Sequence, residues 1–219
     1  MQKKVVVIHT SLVTIEDLKR LFKEILPEVT MINIIDDSLL EEVKQNGSLT
    51  KDVIRRICTY ALEAEKMGAD AILNQCSSVG EAVDVARNLI SIPYVKIDEP
   101  MAEEAVNIGG RISVIATVES TIDPSVRLIE RTAEKLGKQV EIKRLLVDGA
   151  LEVLMKEGDK QKHNDMVVEA IEKIKDTSDV IVLAQGSMVV LLPYLDHIKV
   201  PVLSSLRSGV TQLRKVLGI

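Results

Sequence analysis

The chain repeats itself, and the repeat restricts its fold more than any other feature. Ile8-His-Thr10-Ser-Leu-Val-Thr14 lines up with Ile115-Ala-Thr117-Val-Glu-Ser-Thr121. Asp70-Ala-Ile-Leu-Asn-Gln-Cys76-Ser-Ser78 lines up with Asp179-Val-Ile-Val-Leu-Ala-Gln185-Gly-Ser187, and Ile92-Pro93 with Val200-Pro201. The pairs Thr10/Thr117, Asp70/Asp179 and Pro93/Pro201 are offset by 107, 109 and 108 residues. So steady a shift over separate motifs implies two lobes of one design. Each half alternates short apolar runs with amphipathic stretches of helical period. In the first half the runs are Lys4 to Ile8, Val29 to Ile35, Ala71 to Leu73 and Tyr94 to Ile97. Strands that alternate with helices make parallel βαβ units. The expected fold is therefore α/β: two similar three-layer αβα lobes, each with a mostly parallel four-stranded sheet, related by a pseudo-two-fold axis with a cleft between them. The expected lobes are residues 1–98 with 206–219, and residues 99–205.

Composition narrows the functional classes. Hydrophobic residues make up 46% of the 219, enough for a sizeable core. The formal net charge is −5, aromatics are 2% and Trp is absent, which argues against a nucleic-acid surface or a base-stacking platform. No apolar run approaches the roughly 18 residues of a membrane span, and Met1-Gln-Lys-Lys leads straight into a strand pattern without a signal peptide. The two cysteines, Cys58 and Cys76, in an acidic chain point to a reducing cytoplasm. Cys58 falls in register with the apolar Ile54, Ile57, Ala61 and Leu62 and reads as core.

Open α/β sheets bind ligands at the carboxyl ends of their strands. Those ends carry Thr10, Ser11 and Cys76 in one half, with His9 at the end of the first strand, and Thr117, Ser120, Gln185, Gly186 and Ser187 in the other. Cys76 stands just before a helix, with Ser78 as an expected N-cap and Glu81 completing a capping box. A helix N-terminus favours a thiolate, though a free cysteine is also among the most buried residue types. Hydroxyls and helix N-termini suit a carboxylate or another small oxyanion. Thr14, Thr121 and Ser205 sit where ordinary caps belong. No Walker or dinucleotide glycine loop occurs, and His9, His163 and His197 lack the spacing of zinc ligands. The expected site uses neither cofactor nor metal.

These residues resemble the aspartate/glutamate/hydantoin racemase superfamily over nearly the whole chain. The likeness rests on the doubled lobes, the Asn74-Gln-Cys76-Ser-Ser loop, the Asp98-Glu-Pro-Met-Ala-Glu helix start and the Leu183-Ala-Gln-Gly-Ser-Met188 loop. It implies cofactor-independent proton transfer at carbon, with one cysteine from each lobe flanking the substrate. Cys76 matches the first-lobe cysteine. Thr10, Ser11, Asn74, Ser77, Ser78, Thr117, Gly186 and Ser187 fall where such enzymes bind carboxylate and amide or amine groups. The second-lobe cysteine position holds Gln185, which forms hydrogen bonds but does not exchange protons near neutrality.

The expected function is an isomerase of the racemase or epimerase class, acting on a small amino, hydroxy or dicarboxylic acid. Cys76 would move the proton, Gln185 would hold the developing enolate, and His9 would serve as a spare acid. Alternatives are a lyase in which one cysteine protonates a carbanion, and a non-catalytic sensor of a small carboxylate. The expected partners are that small molecule and further copies of the chain, as a dimer or larger, with no nucleic acid and no membrane.

Overall fold

The computed structural model describes residues 2–219 and, apart from that of Met155, their side chains. The chain divides into two units, one running to Pro100 and taking back Leu206–Ile219, the other spanning Met101–Ser205. In chain order the elements are β1 (Lys4–His9), α1 (Ile15–Ile25), β2 (Thr30–Ile35), α2 (Ser38–Asn46), α3 (Lys51–Lys66), β3 (Ala71–Asn74), α4 (Gly80–Ala86) and β4 (Tyr94–Lys96). Next come α5 (Glu99–Ile108), β5 (Arg111–Ala116), α6 (Glu119–Lys135), β6 (Glu141–Leu146), α7 (Ala150–Glu152), α8 (Lys160–Ile174), β7 (Val180–Leu183), β8 (Val202–Ser204) and α9 (Ser205–Leu217). Among the described residues, no helix is long and apolar enough to cross a membrane.

Each unit holds one four-stranded sheet, in the orders β2-β1-β3-β4 and β6-β5-β7-β8. Every pairing in both is parallel. The registers repeat as well: Ile8 lies opposite Asn74, and Ile115 opposite Leu183. Central strands of such sheets are buried on both faces, hence the apolar runs of β1, β3 and β7 and of β5, which only Ser113 interrupts. On one face of the first sheet, Val6, Ile8, Ile72 and Tyr94 pack with Leu39, Ile57, Ala61 and Val83 from α2, α3 and α4, and Cys58 joins this core.

The repeated aspartates explain why the two sheets start alike. Asp70 N donates to Lys4 O at 2.7 Å, and Asp70 Oδ2 accepts from Lys4 N at 2.8 Å. Asp179 does the same for Arg111, its Oδ2 accepting from Arg111 N at 2.8 Å while Oδ1 takes the guanidinium Nη2 at 2.6 Å. The Arg111 side chain, then its backbone N–H, holds the Asp179 carboxyl below its ordinary range. A carboxylate with a depressed folded pKa stabilises above its unfolded value of about 3.9 and loses that contribution as pH falls through the folded value. The stability gap between the wild type and Asp179→Asn is therefore expected to be widest near neutrality and to close below about pH 4, as read by urea unfolding across a pH series.

α9 closes the first unit. Arg207 pairs with Glu24 of α1, and Arg214 Nη1 donates to Ile25 O at 2.7 Å. At Gly209 a side chain has no room, because an added Cβ would stand 2.5 Å from Ile97 O and 2.7 Å from Ile97 Cδ1. Gly209→Ala gains up to about 1 kcal/mol of helix propensity but forces a backbone contact. Overpacking of this kind costs about 1–3 kcal/mol, so a net loss in the denaturation midpoint is expected.

Several helix starts differ from expectation. Thr14 holds the N-cap position of α1 but makes no capping bond. Cys76, not Ser78, precedes the turn after β3, a 3₁₀ turn over Ser77–Val79 that leads into α4. α6 begins at Glu119, so Thr121 and Pro124 lie inside it, and the Thr121 hydroxyl donates to Val118 O at 2.7 Å. The early start has a physical cause: an acceptor from β7's loop serves the N–H groups of Thr117 and Val118, as described next.

Candidate active site

In the first unit, the ladder between β1 and β3 runs one residue past the strands, where Gln75 N donates to Ile8 O at 3.1 Å. Cys76 follows in extended conformation, at φ −120° and ψ 120°. Asn74 fixes its backbone by donating from Nδ2 to Cys76 O at 2.7 Å. The cysteine is 9% exposed and packs on the α2–α4 core. Burial pushes the thiol above its ordinary pKa; the Thr10 hydroxyl, the Ser78 and Val79 N–H groups and the Ser78 side chain oppose that rise. The donors at the start of the turn thus favour the thiolate, but desolvation is the larger effect.

His9 turns toward β2 and is 0% exposed. Its Nε2 donates to Asn33 Oδ1 at 2.8 Å, which assigns the ring proton to Nε2 and leaves Nδ1 as an acceptor. Burial lowers its pKa, so the ring is neutral at pH 7. Thr10 is buried and Ser11 half-buried at the same sheet end. Asp98, at the expected helix start, is 3% exposed just beyond β4. Desolvation pushes its carboxyl up, against the hydrogen bond from the Ser77 side chain.

Unpaired polar atoms mark this end of the sheet. His9 Nδ1, Thr14 Oγ1, Asn74 Oδ1, Gln75 Oε1 and Asp98 Oδ1 are buried without a hydrogen-bond partner among the described residues. They follow or end β1, β3 and β4, and such groups call for a ligand, water or a functional reason. Asn33, Gln75 and Asp98 escape the sequence reading. The one signal for Asn33 is an amide inside an otherwise apolar strand.

The second unit rebuilds the same backbone around a different side chain. Gln185 adopts φ −122° and ψ 132°, close to Cys76, and leads into a 3₁₀ run over Gly186–Tyr194. Its Oε1 accepts from Thr117 N at 2.6 Å, Thr117 Oγ1 at 3.2 Å and Val118 N at 3.3 Å. The carbonyl is thereby spent on α6's approach, and the side chain has N–H donors left. Thr117 is buried; Ser120, Gly186 and Ser187 are half-buried. A cavity of about 300 Å³ in this unit, lined by Val147, Asp148, Met166 and Lys173 among others, contains none of the expected site residues.

Within the first unit, then, the fold brings Cys76 to Thr10 and Ser78, Asn74 to the Cys76 backbone, and Ser77 to Asp98. Within the second it brings Gln185 to Thr117. Among the described residues, no group of three or more His, Cys, Asp or Glu is arranged to hold a metal ion.

Glutamate racemase from Francisella tularensis, solved with D-glutamate, superposes with a TM-score of 0.76 at 13% identity, covering 99% of this chain and 81% of that one. Picrophilus torridus aspartate racemase gives 0.71 at 14%, covering 99% and 94%. Allantoin racemase from Klebsiella pneumoniae gives 0.69 at 18%, covering 99% and 89%. At these identities the likeness establishes the fold. No curated protein matches the sequence. The model of the Asp/Glu/Hydantoin racemase family matches residues 5–213. The chain belongs to the Asp/Glu/Hydantoin racemase family.

Proposed function

We propose that the protein is a cofactor-independent isomerase of a small carboxylic acid, an amino acid or a derivative of one, and that Cys76 moves the proton. The observation that carries this reading is the setting of the Cys76 sulfur: buried, at a strand's carboxyl end, with the Thr10 hydroxyl and the Ser78 and Val79 N–H groups favouring its charged form. The structural neighbours named for glutamate, aspartate and allantoin support the substrate class.

In the proposed step the thiolate takes the proton beside the carboxyl carbon and becomes a thiol. The electron pair of the broken C–H bond moves into the carboxyl group as an enediolate, water protonates the opposite face of the carbon, and the thiol gives its proton to the hydroxide so formed, which regenerates the thiolate. Desolvation makes the thiolate a stronger base, which suits a weakly acidic C–H. Gln185, with its carbonyl engaged within its own unit, keeps N–H donors and offers no group that transfers a proton near neutrality.

Gln185 also favours a second reading. With one proton-transferring thiol, a lyase needs no partner on the opposite face: carbon dioxide leaves a carboxylate substrate and Cys76 delivers one proton to the carbanion. One experiment separates the readings. Amino, hydroxy and dicarboxylic acids are incubated with the protein in deuterium oxide and followed by NMR. Deuterium at the carbon beside the carboxyl without loss of mass supports the isomerase, and loss of carbon dioxide supports the lyase. Exchange that persists at full rate in Cys76→Ala overturns both.

A further inference from the structure

His9 is a buried histidine with half of its hydrogen-bonding capacity unused. Nε2 donates to Asn33 Oδ1 at 2.8 Å, and Nδ1 is buried with no partner among the described residues. An unpaired buried acceptor costs folding free energy that an apolar side chain would not. Register explains how the two residues meet. Val7 lies opposite Asn33 and His9 opposite Ile35, so alternation along these parallel strands puts Val7, His9 and Asn33 on one face of the first sheet. On the other side of β1, Ile8 lies opposite Asn74, and the next rung runs from Gln75 N to Ile8 O at 3.1 Å. The same alternation brings Gln75 to the face of His9, on the adjacent strand end. Gln75 is buried, and its Oε1 has no partner among the described residues either. Two orphaned acceptors thus stand on neighbouring strands at the carboxyl end of the sheet, one of them on the residue that directly precedes Cys76.

We propose that Asn33 is a positioning residue for His9, holding the ring proton on Nε2 so that Nδ1 is left as an acceptor, and that His9 Nδ1 and Gln75 Oε1 together seat an N–H group of the substrate. The inference deepens the isomerase reading and rests on it for the class of ligand. Two acceptors call for two donors. A hydroxyl carries one proton, whereas an ammonium or a primary amide carries at least two, and an ionised carboxylate carries none. In this arrangement His9 has no proton on Nδ1 to give, so it receives a hydrogen bond in place of serving as the acid expected from the sequence.

The test reads the ring nitrogens of the full chain labelled with ¹⁵N-histidine, by long-range proton–nitrogen correlation, which separates protonated from bare ring nitrogens. His9→Gln identifies the His9 signals apart from those of His163 and His197. In the wild type at pH 7, Nε2 is expected to be protonated and Nδ1 bare. Two sets of probes differ only at the carbon beside the carboxyl: alanine, lactate and propionate, and aspartate, malate and succinate. The amino acids are expected to shift Nδ1 toward the protonated range, the hydroxy acids to shift it less, and propionate and succinate to leave it in place. A signal that none of these acids moves, as a buried water on Nδ1 would give, overturns the proposal, as does one that succinate moves as far as aspartate. Asn33→Leu is expected to release the ring, with part of the population protonated at Nδ1, and to weaken aspartate binding by up to about tenfold, the loss of one net hydrogen bond. A ring that stays wholly bare at Nδ1 in this variant overturns the positioning role. Should Asn33→Leu fail to fold, a wild-type Nδ1 that carries a proton without ligand overturns that role by itself. Probes that bind in this way but exchange no proton in deuterium oxide would sink the isomerase reading and leave the seat standing, whereas exchange with an unmoved Nδ1 would do the reverse.

Discussion

Cys76→Ala is expected to lower solvent-deuterium incorporation on the order of 10²–10⁴-fold, the usual contribution of a positioned acid–base group. The fold should survive, because the change removes one small buried atom and costs about 1 kcal/mol of stability. The pH profile of the wild type supplies a second reading of the same sulfur. The base form is the thiolate, and burial lifts the thiol above its ordinary value. Turnover should therefore keep climbing with pH beyond about 8.5, the value of a free cysteine. Thr10→Val deletes one donor that favours the thiolate and should move that limb to still higher pH. A profile already flat at pH 7 would contradict the assignment of Cys76 as the base.

The next largest effect is expected at Gln185. Gln185→Met keeps the length of the side chain but strips the acceptor from Thr117 N and Val118 N. Leaving buried donors unpaired costs about 1–3 kcal/mol, which urea unfolding will register. Gln185→Glu restores an acceptor and should recover that stability. If Gln185 also donates to a substrate carboxylate, the same change places like charges together and should weaken binding of a carboxylate tenfold or more, as measured by calorimetry or by KM. Stability and binding then separate in one pair of variants.

The sequence carried the architecture because the repeat involves residues with backbone tasks. Asp70 and Asp179 stand at equal distance before β3 and β7 since each seals the amino end of the neighbouring strand. The apolar runs of the central strands left no doubt about burial. Cap assignments fared less well. Ser78 and Thr121 have the right chemistry for an N-cap, but the backbone enters its turn at Cys76 and at Val118. That choice is made by Asn74, two residues before Cys76, and by Gln185, which lies far from Val118 in the chain. The candidate site was legible as a set of strand ends: Cys76 was singled out by its place before a helix, and Gln185 by its equivalence to Cys76 in the repeat. The bond between His9 and Asn33 depends on how β1 registers with β2, which no local pattern reports. Asp98 was hidden for the opposite reason: an acidic residue before a helix has an ordinary explanation at the surface, whereas the folded chain leaves it only 3% exposed.

The aspartate clamps of Asp70 and Asp179 grip the amino edges of the sheets, while every candidate reactive group stands at the carboxyl edges. Strand order is thus secured about a strand's length from the chemistry. A designer could randomise Thr10, Ser11 and Ser187 to seek new substrates while leaving untouched the fasteners on which assembly of each sheet depends.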